Sequence, residues 1–348
     1  MKRVVMLMLL MLLGAPLGAW AGEAGTLTGL TGEVSVRAKA GVPYSKARKG
    51  MSIPEGAWIK TGANGWAELT LADKSRFTLA NTTEFEVNAF LLTRNRREGS
   101  FTLTQGKLRA SVVKFGSRQS GMTVKSGTAV AGIKGTEFLM LSQGQANVFF
   151  GNEGKVGVSG DARGQQQPLT AGVMTQNTRG MIPLEPLKVE AGTPLAEAKQ
   201  LFDTATAAAP PQDWSDSGRI ADIIARWNIN YGHYLADSGK YQDALQVFQI
   251  ALDLTREVAV RADAHMERGA VYARFLNNPE LALAAYLLVL EEYPSLHQAE
   301  TALFNAAQTL VELGFVEQAR QRFEQYLKQY PQGRHRSNAE TIMNGLGK

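Results

Sequence analysis

Tyr241-Gln242-Asp243-Ala244-Leu245-Gln246-Val247-Phe248 is the stretch on which the reading of the fold turns. Ala244 and Phe248 lie four residues apart, on one face of a helix. The same small-then-aromatic pair returns as Ala282 with Tyr286 and as Ala319 with Phe323, at intervals of 38 and 37 residues. Upstream in each unit stands another small residue: Gly232, Gly269 and Ala307. Gly239 and Gly314 punctuate units one and three, and Asn277-Asn278-Pro279 does so in unit two. Tyr293-Pro294 and Tyr330-Pro331 close the second and third units.

Two helices approach closely only where facing side chains are small, so the pattern predicts helical hairpins with Gly232 opposite Ala244. The aromatic ring fills the space beside them. Proline ends each second helix because its ring cannot continue the turn. A hairpin with two apolar faces cannot bury both alone, so the hairpins stack. Residues 219–348 therefore read as an α-solenoid of three hairpins, with Ser337 to Leu346 as a capping helix.

The N-terminal half differs. Residues 22–180 hold 24 of the 35 glycines. Between them run short alternating segments: Trp66 to Leu71, Arg76 to Leu79, Ser100 to Thr104 and Ala146 to Phe150. Period-two alternation bounded by turn residues is the strand signature. The expectation is a Gly-rich all-β domain: a sandwich, a roll or a short β-helix. Residues 181–218 read as a linker, interrupted by Pro183, Pro186, Pro194, Pro210 and Pro211. Leu195 to Ala208 offers one short helix, free to pack on either neighbour.

The first 21 residues have the form of a cleavable signal peptide: Lys2 and Arg3, an apolar run from Val4 to Leu13, then Ala19-Trp20-Ala21. The run is half the length a bilayer-crossing helix needs. The expectation is cleavage after Ala21, a mature chain with no transmembrane span, and a periplasmic location, with secretion as the alternative. The chain has no cysteine, which excludes lipoprotein acylation, disulfides and thiolate chemistry. Charge divides between the halves. Residues 22–180 carry 20 Lys and Arg against 11 Asp and Glu, a net of +9. Residues 181–348 carry 15 against 21, a net of −6. A basic exported domain suits an anionic envelope polymer or lipid head groups; nucleic acid is not expected there.

Two resemblances follow from these residues. The C-terminal part resembles tetratricopeptide repeats, and is similar to the envelope members found in the Tol–Pal coordinator and in the outer-membrane assembly lipoprotein. Asn228, beside Trp227, stands where that family has its early tryptophan. Residues 26–178 resemble the FecR family domain through Gly32-Glu33-Val34, the run from Gly56 to Gly62, Ala67 to Asp73 and Gly106-Lys107-Leu108. The run from Ala129 to Phe138 carries it furthest, followed by Asn152 to Val156 and Leu169 to Gly172. Lys134 replaces the usual arginine there, and Lys74 the usual hairpin glycine. The FecR resemblance implies a sensing or binding module.

The repeat resemblance implies a concave groove lined by the first helix of each hairpin. Its residues would be Arg226, Asn230, His233 and Asp237; then Met266, Glu267 and Arg274; then Phe304, Asn305 and Gln308. Mixed charge, amide and apolar anchors suit a peptide. The alternative is that these positions pack on the linker helix or on a second copy. For an anionic surface the candidates are Lys46, Arg48 and Lys49, and Arg94, Arg96 and Arg97.

Catalytic motifs are weak. Ser111-Val112-Val113-Lys114 and Lys125-Ser126-Gly127 have the letters of penicillin-recognising enzymes, but that chemistry needs its serine at a helix start. Gly127 to Thr136 is a poor phosphate loop. His233, His265, His297 and His335 have no partner at i+4 to form a metal pair. The expectation is a non-catalytic adaptor without cofactor, holding a protein segment of the envelope in its groove. Glycan or small-ligand binding by the β-domain, with the repeats used for oligomerisation, is the alternative.

Overall fold

The computed structural model describes residues 22–117, 120–161, 166–207 and 218–346. Residues 1–21, expected to be a signal peptide, and the stretch 208–217 with its proline pair lie outside them.

The β-strands come first along the chain. They are β1 (Glu23–Thr31), β2 (Val34–Arg37), β3 (Ser45–Lys46), β4 (Ser52–Pro54), β5 (Trp58–Thr61), β6 (Trp66–Leu71) and β7 (Arg76–Leu79). Then come β8 (Glu84–Leu92), β9 (Arg97–Ser111), β10 (Ser120–Lys125), β11 (Ala129–Ile133) and β12 (Glu137–Gln143). The last are β13 (Ala146–Glu153), β14 (Lys155–Gly160), β15 (Gln167–Thr170), β16 (Val173–Asn177) and β17 (Leu187–Lys188).

Pairing resolves them into two layers joined through β9. One layer runs β4-β1-β6-β7-β9-β12-β13-β16-β17. The other runs β3-β2-β5-β8-β9-β10-β11-β14-β15. The N-terminal part of β9 belongs to the second layer and its C-terminal part to the first, with Gly106 at φ +107 between them. The chain crosses between layers repeatedly, so the domain is a flattened roll, one of the three forms expected from the sequence. Inward residues of both layers make one core. Phe77 packs edge-on against Phe101 and Phe85, with centroids 4.6 and 5.5 Å apart.

Eight helices follow among the described residues: α1 (Pro194–Ala205), α2 (Arg219–Asp237), α3 (Tyr241–Leu254), α4 (Val258–Arg274), α5 (Pro279–Glu292), α6 (Gln298–Glu312), α7 (Val316–Gln329) and α8 (Arg336–Gly345). Each packs on the next, and α2, α4 and α6 also touch in succession. The glycines explain the close hairpins. A Cβ on Gly232 would lie 2.2 Å from the Phe248 ring, and one on Gly269 would lie 2.4 Å from the Tyr286 ring. The aromatic residue thus closes directly on the glycine of the preceding helix.

The two parts share a core. β12 and β13 alternate their apolar residues between two interiors. Phe138, Met140 and Phe149 face into the roll, while Leu139, Leu141, Val148 and Phe150 face the helices. On that second face sit Leu195, Ala198, Phe202 and Ala205 of α1, with residues of α2 and α3. Phe150 meets Phe202 edge-on at 6.4 Å. The segment read as a linker is therefore built in: β17 extends the first layer and α1 lies between sheet and array. Thr193 caps α1 by accepting from the Ala196 amide at 3.3 Å, and Pro194 opens the helix where no amide is needed.

Polar contacts lock the junction. Gln176 Nε2 donates to Asn228 Oδ1 at 2.7 Å, and Asn228 Nδ2 donates to Gln176 Oε1 at 3.1 Å; both residues are buried. Asn228, at the position where the repeat family has tryptophan, thus serves the sheet. Arg109 forks between Glu137 and Asp203, 2.7 Å to each. Gln246 donates to the Ile182 carbonyl at 2.9 Å, and Thr178 to Asp253 at 2.5 Å.

Candidate functional site on the inner helical face

The residues expected to line a groove lie on α2, α4 and α6. Helical spacing places Arg226, Asn230, His233 and Asp237 along α2, and all four are exposed. Arg226 pairs with Glu257 in the turn before α4. His233 Nδ1 stands 3.4 Å from Glu267 Oε2, bridging α2 and α4. Arg274 is exposed at the end of α4. Asn305 and Gln308 are half-buried on α6.

Burial sets the electrostatics of the floor. It pushes the Glu267 carboxyl above its ordinary value, reinforced by Asp263 and opposed by the positive charges of His233 and Arg274. Tyr286, whose ring packs on Gly269, is pushed up to about 12, again mainly by burial, while Asn305 hydrogen-bonds its hydroxyl. The sequence pattern assigns Tyr286 to packing. Its hydroxyl joins the polar floor, and no spacing signal on its own helix announces this.

Two positions correct the expected groove. Phe304 is 4% exposed. It lies flat on His335 at 4.4 Å and edge-on to Phe323 at 6.0 Å, so it is core of the last hairpin and not an anchor for a guest. The residue enters that core because the turn between α7 and α8 folds back and brings His335 against it. Met266, at the equivalent place in unit two, is half-buried against the apolar cluster of α4 to α6.

The basic clusters divide in the same way. Lys46, Arg48, Lys49 and Arg94 are exposed. Arg96 is exposed but bonded to Glu98 at 2.8 Å. Arg97 corrects the expectation of a docking residue. It is 1% exposed, 2.7 Å from Asp73, and donates to the Val113 carbonyl at 2.8 Å and to Ser120. It opens β9, and strand alternation turns it inward.

The serine motif falls on strand, not helix. Ser111 ends β9 and donates to Glu137 at 2.6 Å. Burial would raise the Glu137 carboxyl, but hydrogen bonds from Ser111 and Asn152 and the charge of Arg109 hold it below its ordinary value. Gly127 to Thr136 is mostly β11 and its turns. Among the described residues no helix is long and apolar enough to cross a membrane.

Residues 57–157 match the FecR protein family model, and residues 231–297 match a tetratricopeptide repeat model. No curated protein matches the sequence. Among solved structures, the chain is similar to an anti-sigma factor from Parabacteroides distasonis, with 14% identity and a TM-score of 0.33, covering 41% of this chain. It spans only 64% of that structure's length. It is also similar to the second TPR domain of human RPAP3 in complex with an HSP70 peptide, with 18% identity and a TM-score of 0.31, covering 38% of this chain and 99% of that one. A third similarity is to the first TPR of Spaghetti (RPAP3) bound to an HSP90 peptide, with 17% identity and a TM-score of 0.31, covering 36% and 94%. The chain therefore carries a FecR domain at 57–157 followed by tetratricopeptide repeats at 231–297.

Proposed function

We propose that this chain is a non-catalytic adaptor of the bacterial envelope, exported to the periplasm, that holds an extended protein segment along the inner face of its repeats. One observation carries the reading. The sheet covers α1, α3 and one side of α2, yet Asn230, His233, Asp237 and Arg274 on the inner helices stay exposed. The β-domain fixes one side of the array and leaves the other open. The floor offers a half-buried carboxylate, a guanidinium, an imidazole and two amides, which suit the backbone and polar side chains of a peptide. The exported location rests on the leader and the absence of cysteine.

The test uses photo-crosslinking amino acids in the full chain, expressed in the cell. Placed at His233 or Gln308, they should capture the same protein, and Arg274→Glu should reduce that capture at least fivefold. Placed at Leu288 on the outer helix α5, they should not. Equal capture from Leu288, or capture indifferent to Arg274→Glu, would remove the groove from the account.

A further inference from the structure

One end of the roll is a ridge of lysines. Strand register sets its members side by side. Arg76 pairs with Ser111, Ser111 with Glu137, Glu137 with Glu153, Phe150 with Met174, and Val173 with Lys188. The β6–β7 turn, the end of β9, the start of β12, the end of β13 and β17 thus lie in sequence along one edge. At or beside each stands a lysine: Lys74, Lys114, Lys134, Lys155 and Lys188, all exposed. None of the five forms an ion pair with a described residue. At one strand spacing per step, β7 to β17 extends about 24 Å.

The carboxylates at this end do not cancel the row. Asp73 is taken by Arg97, and Glu137 by Arg109. Glu23, Glu153 and Glu190 remain exposed. Arg76, exposed and 4.0 Å from Glu68, stands beside Lys74. A cavity of about 360 Å³ opens among Lys74, Arg76 and Lys114, with Glu137, already held by Arg109, and the exposed Glu153 also in its lining. Lys74 holds φ +70, a conformation that glycine adopts with less strain. The opposite end of the roll has a different chemistry: its turns present Asn64, Gln105, Gln143 and Gln145, and Gln143 donates to the Leu254 carbonyl of α3.

We propose that the lysine ridge binds a linear acidic polysaccharide, its carboxylates or phosphates in step with the row of ammonium groups. Single-file charge matches a chain-like anion better than a plane of head groups. Ammonium groups are flexible point charges that tolerate irregular spacing of the anions. Among the described residues of these turns the aromatic ring is Phe115, half-buried and with Arg97 stacked on it at 5.1 Å, a poor platform for nucleic-acid bases. A row of one sign raises the local concentration of its counter-ion, and salt screens the effect. The ridge is independent of the helical groove.

The probes are polygalacturonate for carboxylate and phosphomannan for phosphate, with dextran as the neutral chain, duplex DNA, and phosphatidylglycerol vesicles. The protein is the chain from residue 22 onward. Binding of either acidic polysaccharide, weakened by salt and absent for dextran, is expected. Lys74→Glu/Lys114→Glu/Lys134→Glu should weaken it at least tenfold with melting unchanged. Lys46→Glu/Arg48→Glu/Lys49→Glu, the same charge change elsewhere, should change it less than twofold. The proposal is overturned if neither acidic polysaccharide binds, if both triple variants lose affinity equally, or if DNA or vesicles bind more tightly than both. Should the ridge variant melt early, Lys134→Gln and Lys155→Gln singly, each expected to cost two- to threefold, decide the matter instead.

Discussion

The first and third hairpins use the same small-and-aromatic pairing, yet they live in different surroundings. α3 and α7 each have 14 residues; α3 buries nine of them and α7 three. α3 is pressed between α2, α4 and the sheet, whereas α7 is backed mainly by α6 and the short α8. The repeat pattern fixes how a hairpin closes on itself. What lies against it fixes how firmly it is held. The array is therefore expected to be stiff where it meets the roll and softer at its far end, because local opening follows the loss of buried contacts.

The most forceful way to break this comparison is to hollow out the shared core. Phe150→Ala is expected to cost about 3–5 kcal/mol and to leave roll and first hairpin melting together. Phe323→Ala, the same chemistry at the far end, should speed hydrogen exchange in α6 to α8 while leaving the roll protected. Two separate transitions in the wild type, or loss of protection in the roll from Phe323→Ala, would undo the contrast.

A second test probes the middle of the array. His265 of α4 is buried beside Tyr293, and burial, aided by Arg268 and Arg261, pushes its imidazole down to about 4. The unfolded chain takes up that proton near pH 6.5 and the folded chain only near 4. Stability from this residue is thus present above 6.5 and lost as pH falls between the two. The full loss is about 3 kcal/mol. His265→Gln should flatten the fall in melting temperature between pH 7 and 5; an unchanged slope would place the acid sensitivity elsewhere.

The mildest test concerns the junction itself. Asn228→Ala leaves the buried Gln176 amide without its partner and should cost about 1–3 kcal/mol. The double change Asn228→Leu/Gln176→Leu should recover part of that loss. Additive losses in chemical denaturation would show that the two amides act separately.

Much of this was legible in the sequence. Trp66 to Leu71 and Arg76 to Leu79 are strands with the bounds their alternation gave, and Gly232, Gly269 and the aromatics mark the hairpins. The union of the two parts was not. Leu139, Leu141, Val148 and Phe150 break strict alternation, which signals a strand buried on both faces, but that signal does not say what covers the second face. Nor does a single repeat position reveal its neighbour: Phe304 has the spacing of a groove residue and is buried because His335 arrives from 31 residues further along. Arg97 sits in a run of basic letters and differs from Arg94 and Arg96 only in facing inward from β9.

The placement of α1 has a consequence for how such a molecule can vary in size. One face of α1 receives α2 as a preceding hairpin would, and the other is sealed against the sheet. No additional repeat can be inserted ahead of it without prying the roll away. Extra hairpins can enter only beyond α3, so the architecture has a fixed root and can lengthen only away from it.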